Sequence, residues 1–186
     1  MDKENLSELM REKAEKIQAV VSDVSSVADV FNYTLELTRN QGGKTIAAPG
    51  FAPADLETLG GLCTKEDIQL LEPPFRNNLE GIHTGLTFAD WGIAETGTLV
   101  IDSAREDLRI VTMLSEIHVA VLPKAAIYPD TDALALEMDA IFKARASYLA
   151  FISGPSRTAD IERVLSIGVH GPRQLHILLM DHGGGQ

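Results

Sequence analysis

Short apolar strands alternate with helical stretches between residues 44 and 181, and this alternation limits the folds open to the chain. The predicted strands cover residues 45–48, 68–71, 98–101, 117–122, 148–153 and 175–180. The predicted helices between them cover residues 53–59, 130–145 and 158–167. Strands that are apolar along their whole length are typical of a parallel sheet covered on both faces. The sequence therefore predicts a three-layer α/β fold with a Rossmann-like, mostly parallel sheet, which binds ligands at the carboxyl ends of its strands.

The first 43 residues have a helical pattern instead. Apolar side chains recur at three- and four-residue spacings, as in an amphipathic helix, at Leu6, Leu9, Ile17, Val20, Val21 and Val24. Ser and Asp at residues 23–26 favour a break, and a second helix is predicted over residues 27–38. We therefore divide the chain into an N-terminal helical segment, residues 1–43, and an α/β domain, residues 44–186. The two helices would pack on the domain or against a neighbouring subunit.

The charge of the chain argues against a polyanionic partner. The 186 residues include 16 Lys and Arg against 27 Asp and Glu, a net charge of -11. Such a chain repels nucleic acid and anionic membrane surfaces, so we expect no nucleic-acid partner. No apolar run approaches the roughly 20 residues that cross a bilayer, and Met1 is followed by amphipathic sequence without a signal-peptide core. We expect a cytoplasmic protein with no membrane span.

A single cysteine, Cys63, limits the cofactor chemistry that the chain can hold. One thiol cannot form a disulfide framework, a structural zinc site or an iron–sulfur cluster within the chain. Cys63 has no neighbouring base, so a buried thiol is predicted. Asp130 is predicted to cap a helix, and His118 to be a hydrogen-bonding group at a strand end. We therefore expect no metal site and no cofactor in this chain.

Three segments rich in Gly, Ser and Thr stand at predicted strand ends. The first, residues 92–98, contains Glu95, which suits acid–base chemistry, and Gly97, which permits a positive φ or a close backbone approach. A tight turn that feeds the following strand is the alternative interpretation. The third, residues 168–173, contains His170, which can transfer protons near neutral pH or serve as a hydrogen-bonded loop residue.

The second segment, residues 152–162, is predicted to run from a strand through Gly154 and Pro155 into a helix. The first N–H groups of such a helix lack intrahelical partners. Together with the helix dipole and the Arg157 guanidinium, they would bind a small anion. Capping of a purely structural helix by Ser156 or Thr158 is the alternative interpretation.

Taken together, the three segments resemble the LutC/YkgG family, the lactate utilization (LUD domain) proteins. The resemblance rests on Gly-Ile-Ala-Glu-Thr-Gly-Thr-Leu-Val at residues 92–100, Ser-Gly-Pro-Ser-Arg-Thr-Ala-Asp-Ile-Glu at residues 153–162 and Gly-Val-His-Gly-Pro at residues 168–172. It covers about residues 44–181 and includes the order and spacing of the motifs. The resemblance implies a NagB/RpiA/CoA-transferase-like fold, which agrees with the parallel sheet predicted above.

The resemblance also implies a function. It points to the accessory component C of a bacterial system that oxidises L-lactate to pyruvate. Its implied partners are iron–sulfur proteins, which would hold the clusters. This chain has no redox-cofactor signature of its own and would be a non-redox subunit, and the segment at residues 152–162 predicts that it binds a small anionic ligand. The residues alone leave two alternatives open, an independent enzyme and a ligand-sensing module, each acting on a phosphorylated or CoA-linked small molecule.

The same three motifs supply the candidate site residues. The candidate catalytic residues are Glu95 and His170. The candidate ligand-binding residues are Thr96, Gly97, Thr98, Ser153, Gly154, Ser156, Arg157, Thr158, Asp160, His170 and Gly171.

Overall fold

The computed structural model describes residues 3–79, 81–144, 148–161, 164–167 and 171–181. The α-helices of these residues are α1 (Lys3–Lys16), α2 (Val27–Asn40), α3 (Pro53–Lys65), α4 (Glu106–Leu114) and α5 (Thr131–Ala144). Their strands are β1 (Val20–Val24), β2 (Thr45–Ala47), β3 (Gln69–Leu70), β4 (Thr84–Phe88), β5 (Trp91–Ile93), β6 (Thr98–Asp102), β7 (Ile117–Pro123), β8 (Ile127–Tyr128), β9 (Leu149–Ile152), β10 (Arg157–Ile161), β11 (Val164–Ile167) and β12 (Gln174–Met180). Short 3-10 helices lie at Phe75–Asn78 and Lys124–Ala126.

Six parallel strands form the main sheet, in the order β1-β12-β7-β4-β2-β3. The central strand β7 is apolar on both faces because both faces are covered. Val119 and Val121 pack in a core with side chains of α2 and α3, whereas Ala120 and Leu122 pack in the core on the opposite face. The predicted α/β fold with a mostly parallel sheet is confirmed.

A second sheet of four strands, in the order β8-β5-β6-β9, packs with α1 on the main sheet. Strand β6 pairs antiparallel with both β5 and β9, so the predicted strand at residues 148–153 belongs to this second sheet. Leu99 and Ile101 of β6 face the main sheet, while Val100 packs with Leu134 of α5. A continuous apolar run predicts a buried strand but does not show which sheet the strand joins, and Phe151 of β9 is in fact about half exposed.

The N-terminal segment contributes a strand to the main sheet. Residues 20–24 form β1, which pairs in parallel with β12. The prediction that Val20, Val21 and Val24 continue a helical pattern is therefore wrong. Valine is β-branched and favours strands, and Gln18 adopts a φ of 70° where the chain leaves α1. The domain boundary at residue 43 stays a prediction, but β1 lies in the sheet of the domain that follows.

The other predicted helices are mostly confirmed. Helix α2 matches the prediction for residues 27–38, and Ser26 caps it by accepting a hydrogen bond from the N–H of Asp29 at 3.2 Å. Helix α3 begins at Pro53 as predicted and extends to Lys65. Helix α5 matches the helix predicted over residues 130–145. Helix α4 was not predicted from the sequence.

The predicted helix over residues 158–167 is wrong. Strands β10 and β11 occupy this region and pair antiparallel, with Arg157 opposite Ile167 and Thr158 opposite Ser166. Residues 157–167 are rich in β-branched side chains, which lose rotamer freedom in a helix and favour strands. Without this helix, the helix N-terminus that was predicted to bind an anion does not exist.

No helix in the described parts of the chain is long and apolar enough to cross a membrane.

Candidate functional site

A cavity of about 370 Å³ lies near the amino ends of β7 and β12. Its walls come from α4, from β9 with the turn that follows, and from residues 171–172. Helix α4 can approach β4 closely because Gly85 of β4 has no side chain. A Cβ added to Gly85 would lie only 2.6 Å from Val111 Cγ1 of α4. The sequence led us to expect ligand binding at the carboxyl ends of the strands. The cavity instead lies at the opposite end of the main sheet.

His118 is the most deeply buried polar side chain that lines this cavity. It lies on β7 and is fully buried, with Nε2 hydrogen bonded to Thr87 Oγ1 at 2.9 Å. Its Nδ1 has no hydrogen-bond partner among the residues that the structure describes. Burial lowers the pKa of His118 to about 4, so the imidazole is neutral at neutral pH. A buried nitrogen without a partner is costly, and a ligand in the cavity could supply one.

Arg109 supplies the charge of the cavity. Among the described residues that line it, Arg109 is the only one with a formal charge at neutral pH. Its Nη1 donates to the carbonyl oxygens of Ser103 at 2.6 Å and Ala104 at 2.8 Å, and its guanidinium lies 5.9 Å from the ring centroid of Tyr148. The guanidinium is thus held in place by the strand–helix connection before α4, and the described lining carries positive charge.

The second and third sequence segments meet at this cavity. Ser153, Gly154 and Ser156 line it from the second segment, and Gly171 lines it from the third. The two segments are joined because the N–H of Ser156 donates to the carbonyl oxygen of Pro172 at 2.8 Å. Four of the predicted ligand-binding residues therefore share one cavity wall.

The first segment contacts the second segment and does not itself line the cavity. Thr98 Oγ1 is hydrogen bonded to Ser153 Oγ at 2.7 Å and to Thr96 Oγ1 at 2.7 Å. The three hydroxyls thus form a chain that links the first segment to the second. Thr96, Gly97 and Thr98 do not themselves line the cavity, so their connection to a ligand would be indirect.

Two glycines of these motifs allow a close approach between the second sheet and the end of α1. Gly97 has a φ of +65°, and a Cβ on it would overlap the backbone of Ala14. Gly154 has a φ of +79°, and a Cβ on it would overlap the carbonyl oxygen of Ile17. The close backbone approach predicted for Gly97 is confirmed, and the residues around it form the turn that was the alternative interpretation.

Arg157 makes a structural contact rather than lining the cavity. Its Nη2 donates to the carbonyl oxygen of Ile17, in the connection between α1 and β1. Thr158 and Asp160 lie in β10, a strand, so they are not at the N-terminus of a helix. The helix N-terminus predicted there is therefore wrong, while ligand binding by these three residues stays a prediction.

Of the two candidate catalytic residues, the structure describes only Glu95. Glu95 is exposed, its N–H donates to the carbonyl oxygen of Pro129 at 3.0 Å, and it does not line the cavity. His170 lies outside the described residues. The sequence analysis did not assign His118 and Arg109 to a site. His118 was visible as a polar residue in an apolar run, but Arg109 lies in the helix that was not predicted.

Cys63 and Asp130 occupy structural positions, as predicted. Cys63 is buried on α3, and burial raises the pKa of its thiol to about 11, which keeps it protonated and unreactive. Asp130 Oδ1 accepts a hydrogen bond from the N–H of Ala133 at 2.8 Å at the start of α5. Within the described ranges, no group of His, Cys, Asp and Glu side chains is arranged to hold a metal ion.

Comparison with known proteins identifies the family. The family model described as LUD domain matches residues 7–180. The chain belongs to the LUD domain family. The match begins within α1 and includes β1 as well as the region that carries the three motifs. This extent agrees with the position of β1 in the main sheet.

Relatives of this LUD domain protein include several named lactate utilization protein C. That of Halalkalibacterium halodurans is 40% identical over 101 residues, or 52% of this chain and 44% of that protein. That of Macrococcus caseolyticus is 34% identical over 105 residues, or 55% of this chain and 46% of that protein. The match thus spans less than half the length of these two relatives. That of Anoxybacillus flavithermus is 28% identical over 182 residues, or 95% of this chain and 81% of that protein.

A solved structure has the same fold. A DUF162 family protein from Deinococcus radiodurans superposes with a TM-score of 0.65 at 20% sequence identity. The match covers 97% of this chain and 99% of that one. At this level of identity, the similarity supports the fold alone.

Proposed function

We propose that this LUD domain protein is a component of a bacterial lactate-utilization system. The observation that carries the proposal is the alignment with lactate utilization protein C of Anoxybacillus flavithermus, which covers 95% of this chain. The family match over residues 7–180 supports it. The proposed role is that of a cytoplasmic accessory component in the oxidation of L-lactate to pyruvate.

The proposal assigns the electron transfer to partner proteins. Oxidation of lactate removes two electrons, which need an acceptor such as a flavin, a nicotinamide or an iron–sulfur cluster. This chain has a single cysteine, which is buried, whereas a cluster needs several cysteine ligands. Iron–sulfur partner proteins would therefore hold the clusters, and this chain would handle a small ligand or organise the assembly.

The cavity beside His118 is the candidate site for that ligand. It contains a neutral buried imidazole and a fixed guanidinium, and two of the three family motifs line it. Its hydroxyl and glycine residues lie in the segments whose pattern carries the resemblance to the family. An accessory subunit with this cavity could hold a small organic acid without carrying out redox chemistry.

Deletion of the gene tests the proposed function. We expect the deletion strain to grow normally on glucose and to fail on L-lactate as sole carbon source, and the full-length gene to restore growth. We also expect the tagged protein, purified from lactate-grown cells, to carry iron–sulfur proteins with it. Normal growth of the deletion strain on L-lactate, with no lactate-dependent partner, would overturn the proposal.

A further inference from the structure

The inference starts from the one ring nitrogen of His118 that has no hydrogen-bond partner in the described part of the chain. Thr87 holds Nε2 at 2.9 Å, which fixes the orientation of the ring, and Nδ1 is the other ring nitrogen. The side chain is fully buried and lines the cavity. When the Thr87 hydroxyl donates to Nε2, the neutral ring carries its proton on Nδ1 and can donate it to a ligand oxygen.

The other polar groups of the cavity favour an acidic ligand. Arg109 brings a positive charge, and none of the described lining residues is a carboxylate. The Ser103 hydroxyl donates to the carbonyl oxygen of Tyr148 at 2.9 Å, and the Thr112 hydroxyl donates to that of Leu108 at 2.8 Å. Each of these two hydroxyl groups already donates its proton to a backbone carbonyl. Its oxygen can still accept a hydrogen bond from a hydroxyl group of a ligand.

The charge and the walls of the cavity favour a monoanion over a phosphate. Phosphate carries up to two negative charges and is commonly bound by several backbone N–H groups at a helix N-terminus. Here one guanidinium, already bonded to two carbonyls, stands among apolar side chains that include Met113, Phe151 and Leu175. The volume of about 370 Å³ corresponds to roughly a dozen water molecules, so a small acid with an apolar substituent would fit.

We propose that this cavity binds a small organic monocarboxylate with a hydroxyl or oxo group on the neighbouring carbon, and that His118 Nδ1 hydrogen bonds to it. The presence of an organic-acid site follows from the cavity, while the choice of 2-hydroxy and 2-oxo acids rests on the proposed function. His118 is a binding residue of this site, and Arg109 provides its charge complementarity.

Binding by the purified full-length protein tests this site. We would titrate it by calorimetry with L-lactate, pyruvate, mandelate and inorganic phosphate at matched ionic strength. The organic acids are expected to bind and phosphate is not. In parallel, nitrogen-15 spectra of the histidine rings should show the Nδ1 resonance of His118 move on addition of an organic acid, while the resonances of His176 stay in place.

Two variants locate the site. His118→Gln keeps a polar group near Thr87 and removes Nδ1, so it is expected to weaken binding of the organic acids about 10-fold or more. The matched control is His176→Asn, which changes a buried histidine that is bonded to Tyr33 and does not line the cavity. The control is expected to bind as the wild type does.

Three results would overturn the inference: no binding of any organic acid, binding of phosphate alone, or binding with no shift at His118. The ring spectra of the wild type decide the matter even where His118→Gln does not fold. Failure of the site and failure of the proposed function are distinguishable. Loss of growth on L-lactate without organic-acid binding removes only the site, and binding with normal growth of the deletion strain removes only the function.

Discussion

At the residue scale, two buried histidines on neighbouring strands differ in their hydrogen bonding. Burial lowers the pKa of both His118 and His176 to about 4. His176 uses both ring nitrogens, with Nδ1 bonded to Tyr33 Oη at 2.8 Å and Nε2 to Gln174 Oε1 at 3.1 Å. His118 uses only Nε2 within the described structure. His176 on β12 therefore makes hydrogen bonds within the protein through both ring nitrogens, whereas His118 on β7 lines a cavity.

The depressed pKa values predict that the protein loses stability in mild acid. Below about pH 6.5, the unfolded state binds protons at these histidines, while the folded state binds them only near pH 4. Stability is therefore full above pH 6.5 and falls as the pH drops, by up to about 3 kcal/mol for each histidine. Urea unfolding at several pH values between about 5 and 7 measures this slope.

His176→Asn provides the control for that slope. The variant keeps a polar partner for Tyr33 but removes one group that titrates in the unfolded state. Its free energy of unfolding should depend less on pH than that of the wild type over the same interval. The contribution of His83, whose pKa burial also lowers, is present in both proteins. Equal slopes in the two proteins would contradict the assignment.

At this scale, the sequence named four of the residues that line the cavity. It named Ser153, Gly154, Ser156 and Gly171, because polar and glycine residues at strand ends are conspicuous in an apolar sequence. It also named Arg157, which instead contacts the carbonyl oxygen of Ile17. The direction of a long side chain depends on neighbours that are distant in the chain, and no local pattern contains that information.

At the element scale, α1 and β1 form part of the core. Leu6, Met10 and Ala14 of α1 are buried in the core that also contains side chains of the main sheet and the second sheet. Strand β1 extends the main sheet beyond β12. The amphipathic pattern of α1 was recognised in the sequence, but β1 was assigned to helix because its five residues are too few to show a decisive period.

The position of α1 predicts a large effect of a mutation there. Met10→Ala is expected to lower the free energy of unfolding by about 2–5 kcal/mol, because Met10 is completely buried and its removal leaves a cavity. The control Leu136→Ala changes a side chain on α5 that is 80% exposed, and it should change stability by less than about 0.5 kcal/mol. Chemical denaturation measures both. A small effect of Met10→Ala would show that α1 is not part of the cooperative core.

At the scale of the whole molecule, the layers place the cavity. Helices α2 and α3 cover one face of the main sheet, α1 and the second sheet cover the other, and α5 packs on the outer face of the second sheet. The cavity lies where α4 and the end of β9 meet the amino ends of β7 and β12. It therefore requires both sheets, and neither sheet alone contains the site.

This layering predicts the pattern of amide hydrogen exchange. Strand β7 lies between β12 and β4 and is buried for almost its whole length, so its amides should exchange only through global unfolding. The two-residue strand β3 lies at the edge of the main sheet and should exchange much faster. Exchange monitored by mass spectrometry or NMR tests this order. Fast exchange in β7 would contradict the arrangement of the main sheet.

The sequence by itself determined four strands of the main sheet (β2, β3, β7 and β12), most helices and the family. Apolar continuity at residues 117–122 and 175–180 reports burial on both faces, and three spaced motifs identify the LUD domain. Only the tertiary structure decided that residues 20–24, 157–161 and 164–167 form strands, that β9 joins a second sheet, and that His118 lines a cavity. The pairing of β1 with β12 and of β9 with β6 joins segments that are far apart in the chain. Strands as short as residues 20–24 and 157–161 have no period that separates helix from strand.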